Sequence, residues 1–193
     1  MKHIKLSFLI LSIVILTGCS SSPQRTQHYT FNATSSALNL GNRQTEHFVI
    51  APLQLATFLD QPGLVIQLHD NQVFTSSYHR WAQPLREVLH TTLAQELNRT
   101  SNTERTFSKN QPSSRQNAQL HLDVEQFNSN DQSQVVFSGQ FSIYDKEGKL
   151  ISTQPFHITE QLSQDGYPHS VSMMQLTITQ LAKQINNTLS RKN

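Results

Sequence analysis

The 193-residue sequence has little cysteine, glycine or charge. A single Cys excludes an intrachain disulfide framework, and with no second Cys a cysteine-based structural zinc site has no basis. The six glycines form neither G-x-x-x-x-G-K nor G-x-G-x-x-G, so a phosphate-cradling nucleotide loop is missing. There is no G-x-S-x-G elbow, which argues against an α/β-hydrolase, and no H-E-x-x-H. Charged residues make up 15%, against about 25% in ordinary globular chains. The deficit is filled by Gln, Asn, Ser and Thr, 74 residues in all, a composition that fits neither charge-driven disorder nor a basic nucleic-acid binder. One long apolar run is present, and it is 11 residues long. A membrane-spanning helix needs about 20, so a polytopic membrane protein is excluded.

That run lies at the start of the chain and reads as an export signal. Lys2 and Lys5 form a positive leader, Leu6 to Leu16 an apolar stretch, and Leu16-Thr17-Gly18-Cys19 follows. The tetrapeptide is similar to a bacterial lipobox. Cleavage between Gly18 and Cys19 would then leave a mature chain whose Cys19 thiol carries lipid, since the sulfur nucleophile is what the lipid donor requires. No other cofactor is indicated. By analogy with enterobacterial sorting, Ser20 in place of Asp directs the lipoprotein to the outer membrane, with its domain facing the periplasm. Removal of residues 1–18 leaves thirteen basic and thirteen acidic residues, a neutral chain with no pull toward nucleic acid.

After the signal, residues 19–27 read as a polar, flexible, lipidated tether, and residues 28–193 as a single domain. His28 to Phe31 predicts a short strand, and Thr34 to Thr45 a loop. Phe48 to Ala51 and Leu64 to Leu68 predict strands. Asp70-Asn71 turns the chain into a hairpin with Val73 to Thr75. Pro84 suits the first turn of a helix whose apolar face is Leu85, Val88, Leu89, Leu93 and Leu97, ending near Asn98. Thr100 to Asn117 reads as loop with at most a short strand near Thr106.

The period then changes to two. Leu120, Leu122 and Val124 share a strand face. So do Val135, Phe137, Gly139, Phe141 and Ile143, with Ser138, Gln140 and Ser142 opposite. Leu150, Phe156 and Ile158 line the returning strand. A final helix carries the stripe Val171, Met174, Ile178, Leu181, Ile185 and Leu189. Two helices, each with one apolar face, packed on one sheet predict an α/β (α+β) two-layer sandwich. The sheet is expected to be mixed and largely antiparallel, because residues 120–162 form strands without helical crossovers.

No catalytic constellation stands out among the acids or the eight histidines of the mature chain. His121 and His157 fall opposite the apolar set, as on a solvated sheet face. Trp81 reads either as a packing residue where the helix enters the sheet or as an exposed aromatic at a protein interface. Trp81 and Pro84 are the candidate structural or interface residues.

Several segments, taken with the lipobox, resemble one family in order. They are His28-Tyr29-Thr30-Phe31, Leu53 to Pro62, Arg80-Trp81-Ala82-Gln83-Pro84-Leu85, Ser138-Gly139-Gln140-Phe141 and Gln164-Asp165-Gly166-Tyr167. The chain resembles the ABC-type transport auxiliary lipoproteins across about residues 28–189. It departs from the family at Ala56-Thr57-Phe58-Leu59, where Pro-x-Tyr-Leu is frequent, and at Gln61, where a basic residue is frequent. The resemblance implies an α/β sandwich and a non-enzymatic role beside an MCE-domain tunnel protein that carries hydrophobic molecules across the periplasm. It implies a ring-shaped homo-oligomer by analogy only. Cys19 is the one functional position it carries over. Two alternatives stay open: a free-standing periplasmic lipoprotein that holds lipid between helix and sheet, and an envelope enzyme with an unorthodox site.

Overall fold

The computed structural model describes residues 24–32, 46–101, 105–109 and 117–191. The expected signal with Gly18 and Cys19, the first part of the expected tether, the loop expected at 34–45, and residues 102–104 and 110–116 of the loop expected at 100–117 lie outside the described residues. Among the described residues nine strands and two α-helices follow one another, with two short 3-10 turns between them: β1 Gln27–Tyr29, β2 Glu46–Ile50, β3 Gln54–Leu55, β4 Gly63–Gln67, β5 Val73–Trp81, α1 Leu85–Thr100, β6 Arg105–Ser108, β7 Ala118–Asn130, β8 Gln134–Tyr144, β9 Leu150–Gln161 and α2 Tyr167–Ser190. This is an α+β fold, a mixed sheet with two helices.

Strand β7 is the spine. It pairs with β8 along ten register positions, antiparallel, and β8 pairs with β9 in the same sense. Its opposite edge is shared by three short strands in succession, all parallel to it: β2 at Ala118–Leu120, β3 at Asp123–Val124 and β4 at Ser129–Asn130. Strand β6 extends the sheet beyond β2, and β5 then β1 extend it beyond β4. The long ladders are antiparallel and the short ones mostly parallel.

A bulge at Glu125 shifts the register of β7 against β8 between Val124 and Gln126. Gly139 lies opposite, paired with Val124. A Cβ built there would stand 2.0 Å from the carbonyl oxygen of Asp123, so the backbones approach more closely than any side chain permits. Backbone cannot yield as a flexible side chain would. We therefore expect Gly139→Ala to cost about 3 kcal/mol, at the upper end for an overpacked site, read as a lower urea midpoint in circular dichroism. An unchanged midpoint would refute the close approach.

Both helices pack on one side of the sheet. All five residues expected on the apolar face of α1, and all six on that of α2, are buried. The inward faces of β7, β8 and β9 meet them with Leu120, Leu122, Phe127, Phe137, Phe141, Phe156 and Ile158. Several polar groups inside this layer are paired, although the Asn186 amide oxygen is buried without a hydrogen-bond partner among the described residues. The Asn186 amide donates to the Leu97 carbonyl at 3.0 Å and to the Thr100 hydroxyl at 3.0 Å, joining α2 to α1. Asn98 brackets β6, donating to the Phe107 carbonyl and accepting from its N–H, both at 2.8 Å. His90 Nε2 donates to the Ile50 carbonyl at 3.0 Å, and burial pushes the imidazole below its ordinary pKa, favouring the neutral ring.

Several boundaries differ from expectation. Gln27, the last residue of the expected tether, belongs to β1. Helix α1 runs to Thr100 rather than Asn98. Strand β5 continues past Thr75 to Trp81, which periodicity misses. Between the pairs Val65↔Thr75 and Gly63↔Arg80 it carries three more residues than β4, and this breaks the alternation. Pro84 sits one position before the helix, as its N-cap, with extended ψ of 130°. Ser138 and Val136, on the side of β8 opposite the helices, are nonetheless buried, and Leu150 is half exposed because the register shifts again between Ile143 and Tyr144.

Candidate functional site

The segments singled out by resemblance are scattered in sequence, and the fold draws most of them to one end of the domain. Strand β1 lies parallel to the last residues of β5, with Gln27 opposite His79, His28 opposite Arg80 and Tyr29 opposite Trp81. Ala82 N–H donates to the Tyr29 carbonyl and Trp81 N–H to the Pro62 carbonyl, each at 2.8 Å. The Leu53–Pro62 segment, β1 and the Arg80–Leu85 segment therefore meet at Trp81.

A second set of contacts brings in the start of α2. The Tyr29 hydroxyl donates to Gln27 Oε1 at 2.7 Å and lies 2.8 Å from His79 Nδ1. With its one hydrogen spent on Gln27, the phenol oxygen accepts from His79 Nδ1–H, which fixes that tautomer. The His79 ring stacks on Tyr167, centroids 3.7 Å apart and planes 14° from parallel. Burial, with Tyr167 nearby, raises the Tyr29 phenol above its ordinary pKa. Tyr167 stands here because Gly166 takes a φ of 105° and turns the chain into the helix, with Pro168 in the first turn.

Beneath these contacts lies an aromatic cluster. Phe31 meets Trp81 at 5.4 Å and Phe127 at 6.1 Å, and Trp81 meets Phe127 at 6.4 Å. Trp81 is 5% exposed, so it presents no aromatic surface to a partner. Asn32 closes the arrangement: its N–H donates to Gln175 Oε1, and its carbonyl accepts from Gln175 Nε2, both at 3.1 Å. Residues 27–32 are thus fastened to the sheet, to the core and to α2.

A cleft of about 360 Å³ opens beside the cluster, lined by residues 60–62 and 81–85, with Pro84 on its wall. At this edge Arg86 pairs with Asp60 at 2.9 Å and also reaches the Leu53 carbonyl. Gln61, where the family often has a basic residue, donates to the Phe58 carbonyl and to Thr75 Oγ1, holding the 3-10 turn Thr57–Leu59 against β5. The departures noted in the sequence therefore fall in this turn and beside the cleft, and leave the strands unaltered.

No reactive arrangement is assembled here. Among the described residues no three His, Cys, Asp or Glu side chains group as a metal site would require. His121 bonds Gln119 and packs edge-on to Tyr144, and His157 is exposed; both lie on the sheet face away from the helices. No helix among the described residues is long and apolar enough to cross a membrane. What the junction does physically is grip the chain that leads back toward residue 19.

Comparison with known proteins gives consistent results. The family described as ABC-type transport auxiliary lipoprotein component matches residues 29–186. The chain is 26% identical over 180 residues to the intermembrane transport lipoprotein PqiC of Escherichia coli (strain K12), covering 91% of this chain and 92% of the relative. The PqiC of Shigella flexneri matches with the same identity and coverage. Among solved structures, an uncharacterized protein superposes with a TM-score of 0.75 at 21% identity, covering 86% of this chain and 99% of its own. Protein XCC0632 from Xanthomonas campestris gives 0.62 at 13%, covering 74% and 82%. These two likenesses concern the fold.

Proposed function

The chain belongs to the ABC-type transport auxiliary lipoprotein family, and from that premise we propose that it is the outer-membrane-anchored component of an MCE-type intermembrane lipid-transport system. In this reading lipid on Cys19 holds the chain in the inner leaflet of the outer membrane. The folded domain stands in the periplasm and docks a PqiB-like MCE-domain tunnel protein, supporting envelope integrity. It performs no chemistry of its own, and copies associate around the tunnel's axis.

The observation that carries the reading is the junction at β1. A lipoprotein that positions a large partner must transmit the position of its anchor to its folded body. Here the chain coming from the anchor is paired to β5, inserted into the core by Phe31 and fastened to α2 by Asn32. The relatives named for intermembrane transport support the same reading. The alternative of a free-standing lipid carrier finds less support. The cleft beside Trp81 stands near the lower bound of small-ligand pockets, about 300 Å³, and two acyl chains need more room.

The test is crosslinking in intact cells, followed by purification of this chain and mass spectrometry of what it captures. We expect an MCE-domain protein, crosslinked through the folded domain. Capture of unrelated envelope proteins only, with the MCE protein expressed and detectable, would overturn the proposal.

A further inference from the structure

Seven large apolar side chains are exposed among the described residues, and four of them belong to the β4–β5 hairpin. Leu68, Val73 and Phe74 flank its turn at 39%, 44% and 47% exposure, and Tyr78 follows on β5 at 42%. The turn itself, His69–Asn71, is closed by Leu68 N–H donating to the Gln72 carbonyl at 2.8 Å. It is braced from the side by His69 pairing with Asp131 and by Asp131 N–H donating to the Gln67 carbonyl. Val73 and Phe74 are consecutive on a strand, so their side chains leave opposite faces. An apolar tip with both faces exposed is poorly matched to one flat protein surface. It suits a medium that surrounds it.

The direction of the chain says which medium. Because β1 is parallel to β5 with Gln27 opposite His79, residues before Gln27 leave toward the Val73 end of β5, the hairpin tip. The tip residue Gln67 is four positions from Gly63, which pairs with Arg80, so it lies about 13 Å beyond the β1 junction at 3.3 Å per residue. Gln27 stands eight positions after Cys19, a span that reaches at most about 27 Å at 3.4 Å per position. The lipid-bearing end of the chain therefore leaves on the tip's side with length to spare. We propose that the tip of the β4–β5 hairpin, through Leu68, Val73 and Phe74, is a second membrane contact. It enters the interfacial zone of the bilayer that holds the lipid of Cys19, and so sets the domain's orientation on that surface. The inference rests on the anchored reading above.

Cys19 is the only thiol, and lipidation blocks it, so an introduced cysteine can be labelled alone. The lipidated protein is purified as Phe74→Cys and, separately, as Leu150→Cys. Leu150 is equally apolar and 50% exposed, but it is paired with Tyr144, whose partner on β7 is Gln119, at the far end of the sheet from the tip. Each is labelled with an environment-sensitive nitrobenzoxadiazole dye and reconstituted in phosphatidylethanolamine–phosphatidylglycerol vesicles. We expect a blue shift at position 74 and loss of most of its fluorescence when the lipids carry acyl-chain nitroxides, with neither at 150. Equal quenching at both positions overturns the proposal. A blue shift at 74 without nitroxide quenching also overturns it and assigns the tip to a contact between copies. The intact mass of the same preparation separates the two premises. An unlipidated Cys19 overturns the anchor, whereas a lipidated Cys19 with position 74 in water overturns the hairpin contact alone.

Discussion

Cys19→Ala, secreted behind a conventional cleavable signal, is expected to leave the membrane fraction almost completely and to appear as soluble periplasmic protein. Each buried methylene of an acyl chain contributes about 0.8 kcal/mol, so two or more chains supply far more membrane affinity than exposed side chains can replace. The fold should survive, since residue 19 precedes every strand and helix described. Fractionation and intact mass read the relocation, and circular dichroism reads the fold. Envelope integrity under stress should fall with it, because a docking component off the membrane positions nothing. A correctly cleaved, unlipidated variant that still sediments with membranes would refute the anchor. Wild-type stress resistance in a released, well-expressed variant would refute the need for it.

The second large effect concerns Trp81. Trp81→Ala empties the centre of the Phe31–Trp81–Phe127 cluster, and large aromatic deletions from a packed core cost about 3–5 kcal/mol. Domains of ordinary stability hold about 5–15 kcal/mol, so the urea midpoint should drop severely. The loss should also be uneven. Phe31 depends on Trp81 for its seat, so residues 24–32 should become the first site of protease cutting under native conditions. Phe156→Ala, a core aromatic at Phe137 away from the junction, is the control: similar instability without that preferential cut. Equal cutting in both variants would show that the cluster does not hold β1.

What could be read from the sequence, and what could not, divides along physical lines. The helix faces were legible because burial on a helix repeats every three to four residues, and every residue assigned to them is buried. The β7–β8–β9 meander was legible because its ladders are local. The parallel pairings of β2, β3 and β4 along β7 were not, since each joins residues some sixty or more positions apart and leaves no mark on local periodicity. Glu96 lies outside the apolar face read for α1, and nothing in the local pattern marks it as buried. It is 2% exposed, held by Arg99 and by the Thr179 hydroxyl at 2.8 Å from a helix far along the chain. Gly139 was visible as part of a segment, but its reason was not, because the bulge that demands it lies on another strand. For the junction, the sequence supplied His28–Phe31, Arg80–Leu85 and Gly166-Tyr167 separately. Only the tertiary fold shows that His79 joins them, hydrogen-bonded to Tyr29 and stacked on Tyr167.

The parallel sense of β1 has a mechanical consequence. Where a tether leaves a strand along its own axis, tension is carried by the strand's hydrogen bonds together, in shear. Where it doubles back, they break one at a time, as a zipper opens. Here the chain departs Gln27 in line with β5, and Phe31 and Asn32 stand behind the strand as a stop on the core side. A pull along the chain that precedes Gln27 therefore loads the whole junction at once.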